Sequence, residues 1–468
     1  MGEKKTLKKN QLNFLEVIAL SIAILAPTFA SSMNFGLIAS SASYSVSLVF
    51  IISVIALLLV SVAFVKFGKE FVSAGSAYTY VEAGLGNKFG AISGWALLLT
   101  YAGYTSGCSS AFGYLFSDFI RQLTGINIPW VIFALLSLLL IWYITYYDIK
   151  VSTRIMLFIE IFSVLLVLGI AIVVLIRVGT TTGLSAAPFK FSNGSSLNGI
   201  GAGMVAAILS FAGFEGAASL GEESRNPKKY IPVAILSTVI FAGVIYIFVS
   251  FAEINGFGVT SAGLKAFTSS GSTIVELSNK YAGAVFTVII TFAISISAFS
   301  TALGSSTASS RALYQLAKDG KVPSLFGKVH EKHNTPYIAD SVITIASVIP
   351  IIALYFGSGL QIDGFTVFYY IGTIGTLGLI VVYLLTCISS VAYFGFNKKV
   401  WTWQNIAPIV GGLLLLYVLW ANVSPSALSY PFNIFPYIAL AFIAIGSIYT
   451  YYYQKGSRVA ADQSNITN

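Results

Sequence analysis

The sequence is short of charge. Asp, Glu, Lys and Arg make up 9% of its 468 residues, against roughly 25% in a soluble domain. A soluble fold of this length would have too few polar side chains to cover its surface. Cysteine is nearly absent. Cys108 and Cys387 both lie inside apolar runs, which excludes a disulfide framework and a thiolate metal pattern. The two histidines, His330 and His333, are three residues apart, where a zinc-binding His-Glu-x-x-His needs four, so no metal site is expected. There is no phosphate-binding glycine loop, dinucleotide fingerprint or nucleophile elbow. Nothing points to an enzyme or to a bound cofactor. The basic start carries no Ala-x-Ala-like cleavage site, so no signal peptide is expected.

What the chain does have is long apolar stretches. Hydrophobic residues make up 56% and the mean hydropathy is +0.85. Stretches of about 20 apolar residues cross a bilayer as helices, and twelve can be placed: 14–39, 44–66, 86–116, 128–147, 152–176, 198–221, 231–253, 282–311, 337–356, 365–394, 404–421 and 433–453. The polar segment 69–80 reads as interfacial or re-entrant. Gly86, Gly90 and Gly94 form a small-residue stripe at the start of span 3, suited to close helix packing. Twelve spans put both termini on one side. That side carries 21 of the Lys and Arg residues and the opposite side 5, so the termini are expected in the cytoplasm. The net charge of +9 is thereby read as membrane topology. The expected partner is the lipid bilayer of the cell membrane, not nucleic acid.

Two spans are interrupted. Span 1 carries Pro27, which has no N–H and clashes one turn back. Span 6 runs into Leu209–Glu223 (LSFAGFEGAASLGEE), with Gly213, Gly216 and Gly221 beside the carboxyl of Glu215. Spans 1 and 6 are the first members of two sets of five. An inverted repeat of five spans places discontinuities in corresponding positions. The expected organisation is a tail 1–13, a first repeat 14–180, a second repeat 198–394, two further helices in 400–453 and a tail 454–468. Each break exposes N–H groups on one side, suited to a carboxylate, and C=O groups on the other, suited to an ammonium or sodium ion. A zwitterionic amino acid matches both ends, and no Lys or Arg lies near either break.

Glu215 is too deep in span 6 to snorkel, and a carboxyl there is a candidate for coupling or gating by taking up and releasing a proton. Glu160 lies about 9 Å along span 5 from Arg154. Six residues apart, the two do not share a face, so no pair is expected, and Glu160 is a second coupling or cation-site candidate. Glu16 and Asp340 read as interface residues near span ends. Span 8 carries a ladder of Ser295, Ser297, Ser300, Thr301, Ser305, Ser306 and Thr307, which either packs helices or ligates sodium.

Four stretches resemble the amino acid–polyamine–organocation transporters: 71–80 (FVSAGSAYTY), Gly213-Phe-Glu followed by 221–232 (GEESRNPKKYIP), 310–323 (SRALYQLAKDGKVP) and 333–337 (HNTPY). The resemblance implies an all-α integral membrane protein with twelve transmembrane helices. It further implies a LeuT-like five-plus-five inverted repeat with helices 1 and 6 discontinuous. It implies that the substrate carboxylate meets N–H groups around Thr28, Phe29 and Ala30, and that the amino group meets carbonyls near Leu25, Leu209 and Ala212. Leu209 stands where relatives often carry an aromatic gate, which Phe211 or Phe29 would then supply. Ala26, Ala30, Ala212 and Gly213 offer little steric exclusion, and Tyr101 and Tyr104 are candidate walls. Pro27-Thr-Phe departs from the family's Gly-Ser/Thr-Gly. Many prokaryotic relatives carry a helix 5 lysine in place of sodium, and here Ser163 falls near that position with Glu160 one turn earlier. Glu160, Glu215, sodium or plain exchange remain open for coupling. The resulting expectation is a secondary-active transporter of small or medium neutral amino acids. It works by alternating access and is coupled to protons, or less readily to sodium, or runs by exchange. A polyamine or organic-amine permease is the alternative, and a channel or sensor is the rival class.

Overall fold

The computed structural model describes residues 7, 9–191, 195–398, 402–423 and 430–466. Lys4, Lys5, Lys8 and Lys399 of the basic count, and the extremes of both expected tails, lie outside the described residues. Among those described, the chain forms sixteen α-helices and no strand. They are α1 Phe14–Leu25, α2 Pro27–Ala42, α3 Val46–Glu70, α4 Ala77–Leu85, α5 Asn87–Thr124, α6 Trp130–Tyr147, α7 Ile149–Thr181 and α8 Leu197–Phe211. After them come α9 Pro227–Phe257, α10 Ser261–Ser269, α11 Thr273–Tyr281, α12 Ala284–Lys318, α13 Tyr337–Gly357, α14 Gly364–Ser390, α15 Trp403–Val423 and α16 Phe435–Ile466.

Eleven helical segments among the described residues are long and apolar enough to cross a membrane, taking α1 with α2, and α8 with the following turn, as one span each. The expected third span, α5, is not among the eleven. It is 38 residues long, but its middle is rich in Gly, Ser, Thr and Tyr. The expected tail from 454 instead continues α16 to Ile466. The 261–281 stretch, to which no element was assigned from sequence, forms α10 and α11.

Local chemistry sets the first helix. Asn13 caps it, accepting the Glu16 N–H at 2.9 Å, and the Glu16 carboxylate returns to the Asn13 N–H at 3.0 Å, a reciprocal capping box. Glu16 also takes the Arg154 guanidinium at 3.0 Å, which ties α1 to the start of α7. Arg154 therefore pairs with Glu16 and leaves Glu160 alone.

Small residues set the centre. On α5, a Cβ on Gly94 would strike the Leu316 side chain at 2.7 Å and one on Gly90 would strike Glu82 at 2.8 Å, whereas Gly86 is a turn residue with φ +83° and open space around it. The expected glycine stripe thus faces two different neighbours and one turn. Close approach of α5 to α14 comes from glycines of α14. A Cβ on Gly375 would sit 3.2 Å from the Thr100 carbonyl, and one on Gly378 3.1 Å from that of Ala96. Such backbone contacts are how membrane helices pack without a hydrophobic driving force.

Segments near both ends of the chain, at Gln11–Leu12 and at Gln454, meet one end of the bundle. The N–H groups of Gln11 and Leu12 donate to the Glu223 carbonyl at 2.9 and 3.1 Å, and Arg225 N–H donates to Leu12. At the same end Asn87 donates to Gln454 at 2.8 Å. There a buried bidentate pair, Arg311 Nε to Glu223 Oε2 at 2.7 Å and Nη2 to Oε1 at 3.0 Å, clamps the segment after α8 onto α12. Asp340, expected at the interface, is 0% exposed. α13 carries it inward toward this pair, because it sits on the face of the first turn that packs on α12 and not on the outer face.

Candidate substrate site between the broken helices

The first span breaks at Ala26, whose φ of 44° is left-handed. An L-residue reaches this conformation only at a cost, and Pro27 follows at the first position of α2, where its missing N–H costs nothing. The N–H groups of Thr28 and Phe29, in the first turn of α2, are left without an intrahelical acceptor by helix geometry. The other break follows Phe211. Ala212 is extended and Gly213 has φ +97°, after which Gly216–Leu220 resumes as a 3-10 turn. The two breaks face each other. A Cβ on Gly213 would collide with the Ile24 side chain. The Ser21 hydroxyl donates to the Phe214 carbonyl at 2.9 Å and accepts the Ala217 N–H at 2.8 Å.

Between them lies a cavity lined by Ile24, Leu25, Phe29, Ala30, Asn34, Tyr104, Cys108, Leu209, Ala212, Thr301 and Phe368. It holds about 20 Å³, room for about one water molecule. Its lining contains no Asp, Glu, Lys or Arg. Phe29 and Phe368 meet across it edge to face, with centroids 4.9 Å apart. In its lining Asn34 Oδ1 makes no hydrogen bond among the described residues, nor do Thr28 Oγ1 and Ser32 Oγ elsewhere on α2, and Asn34 Nδ2 donates to Ser210 Oγ at 3.0 Å.

Six of the residues expected to bind substrate line this cavity: Leu25, Phe29, Ala30, Leu209, Ala212 and Tyr104. Five do not. Ala26 and Gly213 shape the breaks, and Thr28 lies in the first turn behind Phe29. Phe211 points away, packed against Phe50 and Tyr246 at 6.2 and 5.0 Å, so of the two aromatics weighed for the gate position Phe29 is the one at the cavity. Tyr101 donates to Glu215 Oε1 at 2.6 Å. Sequence reasoning missed Ile24, Asn34, Cys108 and Phe368, and placed Thr301 only in the hydroxyl ladder of span 8. Asn34, a lone amide in the apolar run of span 1, was the one legible signal. It also missed Tyr246, whose hydroxyl donates to the Ser210 carbonyl at 2.6 Å and lies 3.4 Å from that of Leu25, so it occupies carbonyls freed by both breaks.

The buried acids separate. Glu215 is 0% exposed and is clamped by two phenols, Tyr101 from α5 and Tyr383 from α14. Glu160 is 1% exposed and receives one hydroxyl, that of Ser297 on α12, at 3.1 and 3.2 Å from its two oxygens. Ser163, beside the expected lysine position, bonds only within its own helix, to Ile159 at 2.6 Å and more weakly to Glu160. In the hydroxyl ladder of α12, Ser297 reaches a carboxylate on another helix. Ser295, Thr301 and Thr307 turn back onto carbonyls three or four residues earlier.

Comparison with known proteins agrees with this architecture. The family model described as amino acid permease matches residues 12–456. The chain belongs to the amino acid permease family. That family is one of transporters rather than enzymes, and its LeuT-like fold fits the paired broken helices. Among similar proteins, the branched-chain amino acid permease BcaP of Bacillus subtilis is 25% identical over 89% of this chain and 88% of its own. The low-affinity putrescine importer PlaP of Escherichia coli K12 is 23% identical over 94% of this chain and 93% of its own. A methylthioribose transporter of Bacillus subtilis is 27% identical over 69% of this chain and 68% of its own. This permease is therefore a multi-pass membrane protein of a family whose members carry amino acids and other small polar solutes.

Proposed function

We propose that this permease moves a small or medium neutral amino acid across the cytoplasmic membrane by alternating access, with both termini in the cytoplasm. The observation that carries the reading is the cavity between the breaks, lined from both broken helices and without a charged side chain. A carboxylate is met by the free N–H groups at the start of α2, and an ammonium by carbonyls at the ends of α1 and α8. A diamine would need a second counter-charge, and no carboxylate lines the cavity. Its small volume belongs to a closed form, so substrate enters when Phe29 and Phe368 part. Glu215, held just beyond Tyr104 by Tyr101 and Tyr383, is the proposed coupling and gating group. Proton symport is the first energetic reading and exchange the second; Glu160, and sodium at the α12 hydroxyls, are the rival coupling elements.

Resemblance to a putrescine importer supports the second reading, an organic-amine permease. The test is a thermal-shift screen of purified protein against the twenty amino acids, putrescine, spermidine and ethanolamine, because a ligand that prefers the native state raises the melting midpoint by mass action. Stabilisation by neutral amino acids is expected. Stabilisation by the amines alone would replace the first reading with the second.

A further inference from the structure

A second cavity, of about 580 Å³, opens at the end of the bundle where Arg311 and Glu223 pair. It shares no lining residue with the cavity between the breaks. The 71–83 segment, Glu222 and the last turn of α12 enclose it. Its polar groups can be followed one by one. Lys318 Nζ pairs with Glu222 Oε1 at 2.9 Å, and Lys321, buried behind the lining, pairs through Nζ with Glu82 Oε1 at 2.9 Å. Asp319 accepts from the Tyr78 hydroxyl at 2.9 Å and from Gln315 Nε2 at 3.0 and 3.1 Å. Two buried acceptors are left over, Glu222 Oε2 and Gln315 Oε1, which make no hydrogen bond among the described residues. Gln315 is only 8% exposed.

Unpaired acceptors that deep are costly unless something donates to them. The three carboxylates Glu82, Glu222 and Asp319 against the two lysines leave one negative charge. The ligand that fits is a donor with a single positive charge. An anion would face the carboxylates, and the cavity is far larger than a bare ion. The geometry points to a binding site for a primary ammonium group, the amino end of an amino acid or a small alkylamine, between Glu222 and Gln315. The proposed function enters in the ligand's origin, as an amine arriving by or leaving through the transport path, and in the orientation that puts this end in the cytoplasm.

The test reads the cavity directly. Val72 lines it and is 44% exposed, while both native cysteines are buried. In inside-out membrane vesicles, a Val72→Cys permease is alkylated with a maleimide. n-Propylammonium should slow labelling, and propanol and tetramethylammonium, which lack the charge or the N–H donors, should not. In the same background Glu222→Gln should weaken protection about tenfold or more, the worth of one charge-assisted hydrogen bond, and Gln315→Glu should strengthen it. Equal protection by all three compounds, or protection unchanged in both variants, overturns the site. No protection by n-propylammonium in the Val72→Cys permease itself, with uptake intact, removes the site and leaves the transport reading standing; protection there without any uptake does the reverse.

Discussion

The hydroxyl of Ser21 is bonded on both sides by the backbone of the other broken helix, donating to the Phe214 carbonyl at 2.9 Å and accepting from the Ala217 N–H at 2.8 Å. One side chain thus satisfies a donor and an acceptor that the second break sets free, and it locks that break to α1. Ser21→Ala removes both bonds at once. Interhelical hydrogen bonds within membranes contribute about 1 kcal/mol each, sometimes near 2, so the loss should lower the thermal midpoint by a few degrees. On the proposed mechanism it should also change the exchange rate between inward and outward forms. Counterflow against net uptake, measured on the purified variant, checks this. An unchanged midpoint would mean the two breaks are held together by packing alone.

Glu215 and Glu160 are separable by their partners. Glu215 receives two phenols from two helices, so its protonation state is read directly by α5 and α14. Glu160 receives one hydroxyl, from Ser297. If Glu215 carries the coupling, Glu215→Gln keeps both phenol contacts as ordinary hydrogen bonds, folds, and gives uptake that no longer varies with pH. Glu160→Gln should keep the wild-type pH profile. The reverse pattern would move the coupling role to Glu160. Uptake at fixed substrate from pH 5 to 8 in proteoliposomes decides between them.

Much of this was legible in the sequence, for reasons that differ from residue to residue. Apolar run length reports bilayer crossing directly, so most span boundaries fall within a few residues of the helices. α5, placed from sequence at 86–116 yet too polar to stand out by hydropathy alone, shows the limit of that signal. A helix packed on all sides by protein need not be apolar along its length, and its Gly-, Ser- and Tyr-rich middle lowers its hydropathy while improving its packing. The breaks were legible because Pro27 and Gly213 are local backbone signals, although the strained residue at the first is Ala26, which has no such signature. Side-chain facing was not legible. Phe29 and Phe211 looked equivalent as gates, yet one turns to the cavity and the other to Phe50 and Tyr246. Cys108, Thr301 and Phe368 enter the site from helices whose rotation depends on the packed bundle.

Gly213 is needed twice over. Its φ of +97° disfavours any side chain, and a Cβ there would run into Ile24. Gly213→Ala should therefore lower both stability and substrate affinity, with the backbone part on the order of 1–2 kcal/mol. Adding Ile24→Ala removes the collision and leaves the backbone strain. The double variant should recover part of the affinity but not all of it, and a double-mutant cycle on ligand-induced thermal shift measures the coupling. Gly213→Leu, which fills the break, should abolish the shift. Normal affinity in that variant would place the substrate elsewhere.

The Arg311–Glu223 pair, 2% and 1% exposed, fastens the segment after the second break to α12. Removing one partner strands the other charge in a buried site, and such losses run to about 3–5 kcal/mol. Arg311→Met leaves Glu223 and the nearby Asp340 without their cation, so it should fold poorly or melt far below wild type. The double variant Arg311→Met with Glu223→Gln removes the stranded carboxylate and should recover much of the yield. If the pair also sets how firmly this end of the bundle closes, the recovered protein will bind ligand yet show altered net uptake. Two measurements, size-exclusion yield and ligand-induced thermal shift, separate folding from closure. A double variant as poorly folded as the single one would show that the geometry of the pair, not charge balance, holds the segment down.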